Sequence, residues 1–254
     1  MPSIRRAFLF NPINMKRVIV LIDGQNLFYC LKDMKISDQD VNWDKLLMSL
    51  IQPDDELIRT YLFRPQKILD NPFTAYRIRQ HIVYFNYREY LADYNSDKSK
   101  TPPAILTQIE QDAIKAESWL KDEIRRFAYI ETKYDELSSE FHDFEIVKKG
   151  MVKVDPFNQK YLGEKGVDIA LAVKMISLSV NNSCDKIILV SGDYDYTEAI
   201  RFVKDRMMKM HIVKIHKGVP PKNKNTSKEL SFLADRLIDI YESQIKVEFL
   251  KDVK

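Results

Sequence analysis

The pattern of apolar and polar residues along the chain predicts a parallel β-sheet with helices on both of its faces. Two short runs, 18–22 and 186–190, consist almost entirely of apolar and mostly β-branched residues. Such runs are typical of strands that are buried on both faces, as in a parallel sheet. Further strands are predicted at 57–63, 144–147 and 212–215, and helical patterns lie between them. Strands that alternate with helices indicate an α/β fold.

The helical segments follow from apolar residues spaced three or four positions apart. We expect a short helix after residue 26, a second at 43–50, a third from Gly166 to about Val180 and a fourth at 197–206. A final helix is predicted from about Lys228 onward. In the first and last parts of the chain these helices alternate with the predicted strands.

Residues 70–142 interrupt this alternation and are predicted to form a helical insertion. The aromatic-rich segment 75–94 is interpreted as helix, with a strand at 82–85 as the alternative. A polar stretch that ends in two prolines, 96–103, is predicted to be a loop. A long helix over 104–141 then returns the chain to the sheet. The aromatic spacing of Tyr87, Tyr90 and Tyr94 is more typical of a core than of a base-stacking surface.

Acidic residues stand directly behind two of the predicted buried strands. Asp23 follows 18–22 in the tetrapeptide Asp23-Gly-Gln-Asn26, and Ser191-Gly-Asp193-Tyr-Asp195 follows 186–190. Open α/β sheets place their ligand sites at the carboxyl ends of the strands. The sequence therefore predicts one acidic site at one edge of one sheet.

Asp193 and Asp195 lie only two positions apart. Two carboxylates this close repel each other unless a divalent ion compensates their charges. A helix N-cap made by Asp195 or Thr197 is the structural alternative.

Asp168 is a third candidate because of its place on a predicted helix. At 100° per residue, four apolar side chains lie within about 80° of it: Leu171, Ala172, Met175 and Ile176. We therefore expect Asp168 to point with the apolar face toward the sheet. An isolated buried charge is costly, and a bound cation would remove that cost. An acid that is stabilised by the helix dipole in the first turn is the alternative.

Composition narrows the chemistry. No apolar stretch approaches the length of a membrane span, and we expect no signal peptide, because the apolar part of the first residues is short and no small-residue cleavage site follows. The two cysteines and four histidines have no metal-binding spacing, so we expect free thiols in a reducing cytoplasm and oxygen ligands for any metal. Oxygen ligands favour Mg²⁺ or Mn²⁺.

The positive charge of the chain is concentrated in one segment. Residues 201–228 contain nine lysines and arginines and one acid, although the formal net charge of the whole chain is only +3. We call this segment the basic stripe. A basic surface beside an acidic site is what a protein that processes a polyanion needs. A solvated, lysine-rich loop is the alternative.

The three acidic motifs stand in the order of a known family. They are Asp23-Gly-Gln-Asn26, Lys165-Gly-Val-Asp168 and Ser191-Gly-Asp193-Tyr-Asp195-Tyr196. Together they resemble the NYN domain, in the LabA-like branch of the PIN-like nucleases, and Ser227-Lys-Glu-Leu230 followed by Ala234-Asp235 is similar to the closing segment of that branch. The resemblance spans 16–69 and 143–240. It implies a domain over 16–240, with an N-terminal extension at 1–15 and a C-terminal tail at 241–254.

The resemblance implies a PIN-like (Rossmannoid) fold and a metal-dependent ribonuclease. It places four acids around one or two Mg²⁺ or Mn²⁺ ions, with Asn26 and Ser191 helping to hold water or metal: Asp23, Asp168, Asp193 and Asp195. Lys165, Lys222 and Lys224 are candidates for contacts with phosphate.

We expect RNA as the partner, no membrane, and leave a homodimer open. The alternative function is a catalytically weak module that binds RNA or a nucleotide on the same fold. The missing Walker loop and Gly-x-Gly-x-x-Gly motif argue against an NTPase or a dinucleotide enzyme.

Overall fold

The computed structural model describes residues 15–68, 75–141, 143–220 and 228–251. The strands there are β1 (Lys16–Asp23), β2 (Asp55–Arg64), β3 (Lys67–Ile68), β4 (Phe144–Lys148), β5 (Met151–Asp155), β6 (Lys160–Lys165), β7 (Lys186–Val190), β8 (Lys209–His216) and β9 (Arg236–Tyr241). The α-helices are α1 (Gly24–Asp33), α2 (Trp43–Leu50), α3 (Ala75–Asn86), α4 (Leu91–Ser96), α5 (Pro103–Glu140), α6 (Val167–Val180), α7 (Thr197–Asp205), α8 (Lys228–Leu233) and α9 (Glu242–Glu248). Short 3-10 helices lie at Arg88–Tyr90, Lys98–Lys100 and Tyr194–Tyr196.

The larger sheet confirms the predicted α/β fold. It has six strands in the order β4-β2-β1-β7-β8-β9 and is mostly parallel, with helices flanking it. A smaller sheet has the order β3-β5-β6. The predicted strands at 57–63, 144–147 and 212–215 correspond to β2, β4 and β8, and the predicted helix at 43–50 is α2.

The described chain forms two compact units. The first unit contains residues 15–21, 29–60 and 175–251, and the second contains 22–28 and 61–174. Within the first unit, β7 pairs in parallel with β8, and β8 with β9. Every residue of β7 is buried, as the run of apolar residues predicts. Its first residue, Lys186, is held in a buried ion pair with Asp55 at 2.6 Å.

The end of the chain differs from the prediction of one final helix. The helix that starts at Lys228 ends at Leu233, and the chain then forms the strand β9. Asp235 causes the change, because its backbone N–H donates to the carbonyl of Met210 and its carboxylate accepts from the N–H of Met210. This exchange aligns the following residues with β8. After α9, the backbone N–H of Asn42 donates to the carbonyl of Phe249, so the last described residues lie against the start of α2.

The second unit contains the helices that the sequence predicts for 70–142. In α3 the buried residues Ile78, Ile82 and Val83 follow helical spacing and pack against α5, so the alternative of a strand at 82–85 is wrong. Helix α5 is about 57 Å long at 1.5 Å per residue. The Arg79 guanidinium joins the two helices through Glu110 and Glu117.

The smaller sheet, also in the second unit, was not indicated by the sequence pattern. Strands β5 and β6 form an antiparallel hairpin, and β3 pairs in parallel with β5. Its core is a cluster of Ile68, Leu120, Val152 and Val154. The hairpin is therefore stabilised by packing against α5, because β6 itself is largely exposed.

Candidate functional site

Asp23 is the last residue of β1 and is buried, with 2% of its surface exposed. Its carboxylate accepts a hydrogen bond from the backbone N–H of Asn26 at 2.9 Å, and so caps the first turn of α1. The next position has room only for glycine, because the backbone of β2 lies close by: a Cβ on Gly24 would lie 2.4 Å from the carbonyl oxygen of Phe63. The strand end and the helix start together fix the position of this carboxylate, at the kind of place the sequence predicts.

Glu164 brings a carboxyl group that the sequence pattern did not single out. It lies on β6 opposite Val152. Its Oε2 atom is buried and has no hydrogen-bond partner among the described residues. Burial raises the pKa of Glu164 to about 7; the negative charges of Asp23 and Asp168 act in the same direction, and Arg64 opposes them. Glu164 is therefore a partly buried acid that has one cation, Arg64, and two more acids as electrostatic neighbours.

Asp168 lies in the first turn of α6 and is half-buried. The fully buried side of this helix is formed by Val167, Leu171 and Met175, and the half-buried Asp168 flanks that apolar face. The preceding turn is packed tightly, because a Cβ on Gly150, at φ +73°, would lie 2.3 Å from the carbonyl oxygen of Lys165. The flanking position leaves the carboxylate of Asp168 near Glu164 and near the positive end of the helix dipole.

We refer to Asp23, Glu164 and Asp168 as the acid cluster. All three belong to the second unit. In the described parts of the chain, no group of three or more His, Cys, Asp or Glu side chains is arranged so that it could hold a metal ion. The donor chemistry nevertheless suits a hard cation, because the cluster offers carboxylate oxygens, one of them buried without a partner among the described residues. A cation bound here would keep most of its ligands as water, which is how Mg²⁺ usually binds.

The motif after β7 belongs to the first unit. Ser191 is buried, and its hydroxyl accepts from the backbone N–H of Asp193 at 3.1 Å. The carboxylate of Asp193 in turn accepts from the N–H of Asp195 at 3.0 Å and caps the 3-10 helix Tyr194–Tyr196. Asp193, rather than Asp195 or Thr197, therefore makes the cap that the structural alternative requires. Asp195 is exposed.

The basic stripe is less available for a polyanion than its composition indicates. Arg201 pairs with Glu198 and Glu229, and the ammonium of Lys204 donates to the carbonyl of Leu233. Lys214 is buried, and its pKa is lowered by that burial. Lys222 and Lys224, the lysines predicted to contact phosphate, lie outside the described residues.

Lys165, the remaining candidate for a phosphate contact, is exposed at the end of β6. It directly follows Glu164 and stands three residues before Asp168. This adjacency was also the one signal in the sequence that could have pointed to Glu164. Without the strand β6, however, the burial of Glu164 could not be inferred.

Comparison with known proteins supports the resemblance to the NYN domain. The family model of the NYN domain matches residues 83–242, which is more than half of the 254-residue chain. The chain belongs to the NYN domain family. The family is part of the PIN-like nuclease superfamily. The matched range includes the Lys165–Asp168 and Ser191–Asp195 motifs but not Asp23, and it includes most of the helical region between α3 and β4.

Other comparisons are less specific. A crystal structure of a protein of unknown function from Vibrio parahaemolyticus is similar at 16% identity with a TM-score of 0.45, over 94% of this chain and 98% of that one. A search of curated proteins gives no match. Among the described residues, no helix combines the length and the apolar character that crossing a membrane requires. Membership of the NYN family points to a nuclease-like function related to RNA.

Proposed function

We propose that this NYN domain is a ribonuclease that hydrolyses phosphodiester bonds of RNA with Mg²⁺ or Mn²⁺ as cofactor. The observation that carries the proposal is the buried Oε2 of Glu164, which has no partner among the described residues and has Asp23 and Asp168 as its acidic neighbours. The negative charges of Asp23 and Asp168 raise the pKa of Glu164, and a divalent ion bound beside them would relieve this repulsion. Asp193 and Asp195 are included among the catalytic acids of this proposal because their motif resembles that of the LabA-like branch.

A cation bound at such acids would lower the pKa of a bound water and neutralise charge on the scissile phosphate. Asp23 is already oriented for this role by its bond to the N–H of Asn26, and the Asn26 side chain would hold a water or the ion. Exposed Lys165 would contact a neighbouring phosphate, where a lysine acts as a point charge.

Three further residues belong to the proposed substrate contacts. Ser191 would hold a water molecule or the ion beside the acids that follow it. Lys222 and Lys224 would contact phosphates of the RNA backbone. Each lysine contributes charge, and so affects affinity more than the chemical step.

Cleavage of a panel of single-stranded and structured RNAs, with and without Mn²⁺, tests the proposal. We expect Mn²⁺-dependent cleavage by the wild type and its loss in Asp168→Asn, which keeps the shape of the side chain and removes its charge. Asp122→Asn is the matched control, because the side chain of Asp122 is 62% exposed on α5. RNA that is bound but never cut would favour the binding-module alternative. Equal trace cleavage by wild type and Asp168→Asn, unaffected by a chelator, would indicate a contaminating nuclease.

A further inference from the structure

A cleft of about 490 Å³ lies in the second unit, between α3 and the β5–β6 hairpin. We call it the α3 cleft. Aromatic rings and amide side chains line it together: His81, Phe85, Asn86, Phe157 and Asn158. Its volume falls within the range of small-ligand sites, roughly 300–1,000 Å³. None of these residues has a part in the acid cluster.

Stacked rings form one side of the cleft. The ring of His81 lies parallel to that of Phe157, with centroids 4.0 Å apart and an angle of 5°. Phe85 lies one helical turn further along α3, 4.4 Å from His81, and is 65% exposed. Partial burial lowers the pKa of His81, which favours the uncharged form of its ring, while the charge of Asp155 acts in the opposite direction. Phe85 is therefore a mostly exposed ring beside the stacked pair His81 and Phe157, and another flat ring could stack on it.

The polar groups of the cleft suit the edge of a nucleobase. Asp155 is already satisfied, because its carboxylate accepts from the N–H groups of Phe157 and Asn158 and from the Asn158 side chain. The amide NH₂ of Asn158 donates to Asp155, so the amide oxygen of Asn158 is the group that could accept a hydrogen bond from a ligand. Asn86 adds a second amide at the end of α3. Amides supply both donors and acceptors, as the edges of bases require.

Two arginines flank the exposed rings of α3: Arg77 near its start and Arg88 just beyond its end. Arg77, His81 and Phe85 are spaced four apart, so they share one side of the helix, and all three are exposed. On the neighbouring line, the Arg88 guanidinium lies over the ring of Tyr84, 5.5 Å from its centre. Stacking platforms interleaved with cations are typical of surfaces that bind single-stranded nucleic acid.

We propose that the α3 cleft binds an unpaired nucleobase of single-stranded RNA, stacked on Phe85. The inference rests on the proposed function for its choice of RNA, and it specifies the substrate: a strand with at least one unpaired residue. Stacking tolerates any base, because every base has a flat aromatic face. The surface thus differs from the Tyr87–Tyr94 spacing noted in the sequence, since Tyr94 is buried in the helical core.

Binding without cleavage tests this inference independently of catalysis. Fluorescence anisotropy of a labelled 12-nucleotide single strand and of the matching duplex is measured in EDTA. We expect Phe85→Ala to weaken single-strand binding by about tenfold, in line with the loss of one base–aromatic stack. Phe85→Trp keeps a ring and should bind as the wild type does, with its added tryptophan fluorescence quenched by RNA. Tyr129→Ala is the control, because Tyr129 is equally aromatic and 58% exposed on α5.

Several outcomes would overturn the inference. They are unchanged affinity in Phe85→Ala, an equal loss in Tyr129→Ala, or no preference for single strand over duplex. A change in self-association without a change in RNA affinity would make the cleft a protein interface instead. If the wild type binds RNA through Phe85 but never cuts it with Mn²⁺, the cleft stands and the proposed catalysis fails. If the wild type cuts RNA with Mn²⁺ and Phe85→Ala binds and cuts equally well, the catalysis stands and the cleft fails.

Discussion

Replacing Glu164 by glutamine should stabilise the protein at alkaline pH. The ordinary pKa of this carboxyl group is 4.5, and in the folded protein it is about 7. The difference corresponds to about 3 kcal/mol at 1.36 kcal/mol per pKa unit. Glu164 is only partly buried, so screening by solvent reduces the effect to about 2 kcal/mol. Because the folded state holds the proton more tightly, the stabilising effect of the neutral carboxyl is complete below pH 4.5 and is lost as the pH rises through 7.

Glutamine mimics the protonated form at every pH. We therefore expect the melting temperature of Glu164→Gln to exceed that of the wild type by about 4–8 °C at pH 8.5, at 2–4 °C per kcal/mol, and the gap to close near pH 4.5. Adding Mn²⁺ at pH 8.5 should raise the melting temperature of the wild type more than that of the variant, because an ion that binds only the folded state stabilises it. Differential scanning fluorimetry across a pH series, with and without Mn²⁺, measures both effects.

Glu140→Gln is the matched control, because Glu140 is exposed at the end of α5 and should show no such pH-dependent gap. A gap between Glu164→Gln and the wild type that stays the same from pH 4.5 to pH 8.5 would refute the reasoning, since it would show that Glu164 carries no strained charge. If the difference in melting temperature depends on pH but Mn²⁺ affects both proteins equally, the buried charge of Glu164 is supported and the acid cluster is rejected as the cation site.

Three further predictions concern other parts of the chain. Asp193→Asn should reduce Mn²⁺-dependent RNA cleavage about a thousandfold in a kinetic assay, because it removes a charge from the proposed metal ligands. Stability should not fall, because asparagine keeps the oxygen that accepts from the backbone N–H of Asp195. Activity close to that of the wild type would remove Asp193 from the proposal. Joint replacement of Lys222 and Lys224 by alanine should weaken RNA binding and reduce the slope of its salt dependence by about one per lost phosphate contact, whereas unchanged slopes would return that segment to the solvated-loop alternative. Burial, together with the positive charge of Lys186, lowers the pKa of His211 to about 4. Between pH 8 and pH 5, acid should therefore reduce the free energy of unfolding of the wild type by about 2 kcal/mol more than that of His211→Gln. Urea unfolding measures this difference, and midpoints that change in parallel for the two proteins would contradict it.

The buried strands and the amphipathic helices were predictable because their patterns are local. Residues 18–22 and 187–190 are apolar on both faces, as a central strand requires, and they lie in β1 and β7. The buried positions Ile78 and Ile82 mark α3 in the same way. These segments carry their own evidence for burial, since spacing alone shows which side chains share a face.

β9 and the β5–β6 hairpin could not be predicted in this way. The sequence of β9 has a weak apolar pattern and only one of its residues, Ile240, is fully buried, so its strand conformation depends on pairing with β8. In the hairpin, Val152 and Val154 are buried against α5 while most of β6 is exposed. Partners distant in sequence decide these elements.

The sequence by itself determined the fold class, the order of the acidic motifs and the strand-end position of Asp23. Only the tertiary structure placed Glu164 among the acids, because its burial comes from a hairpin that forms through contacts with β3 and α5. The tertiary structure also decided which basic residues are already paired, as Arg201 and Lys204 are. Spacing along a chain reports local geometry, whereas the desolvation and pairing of a charge depend on residues far away in sequence.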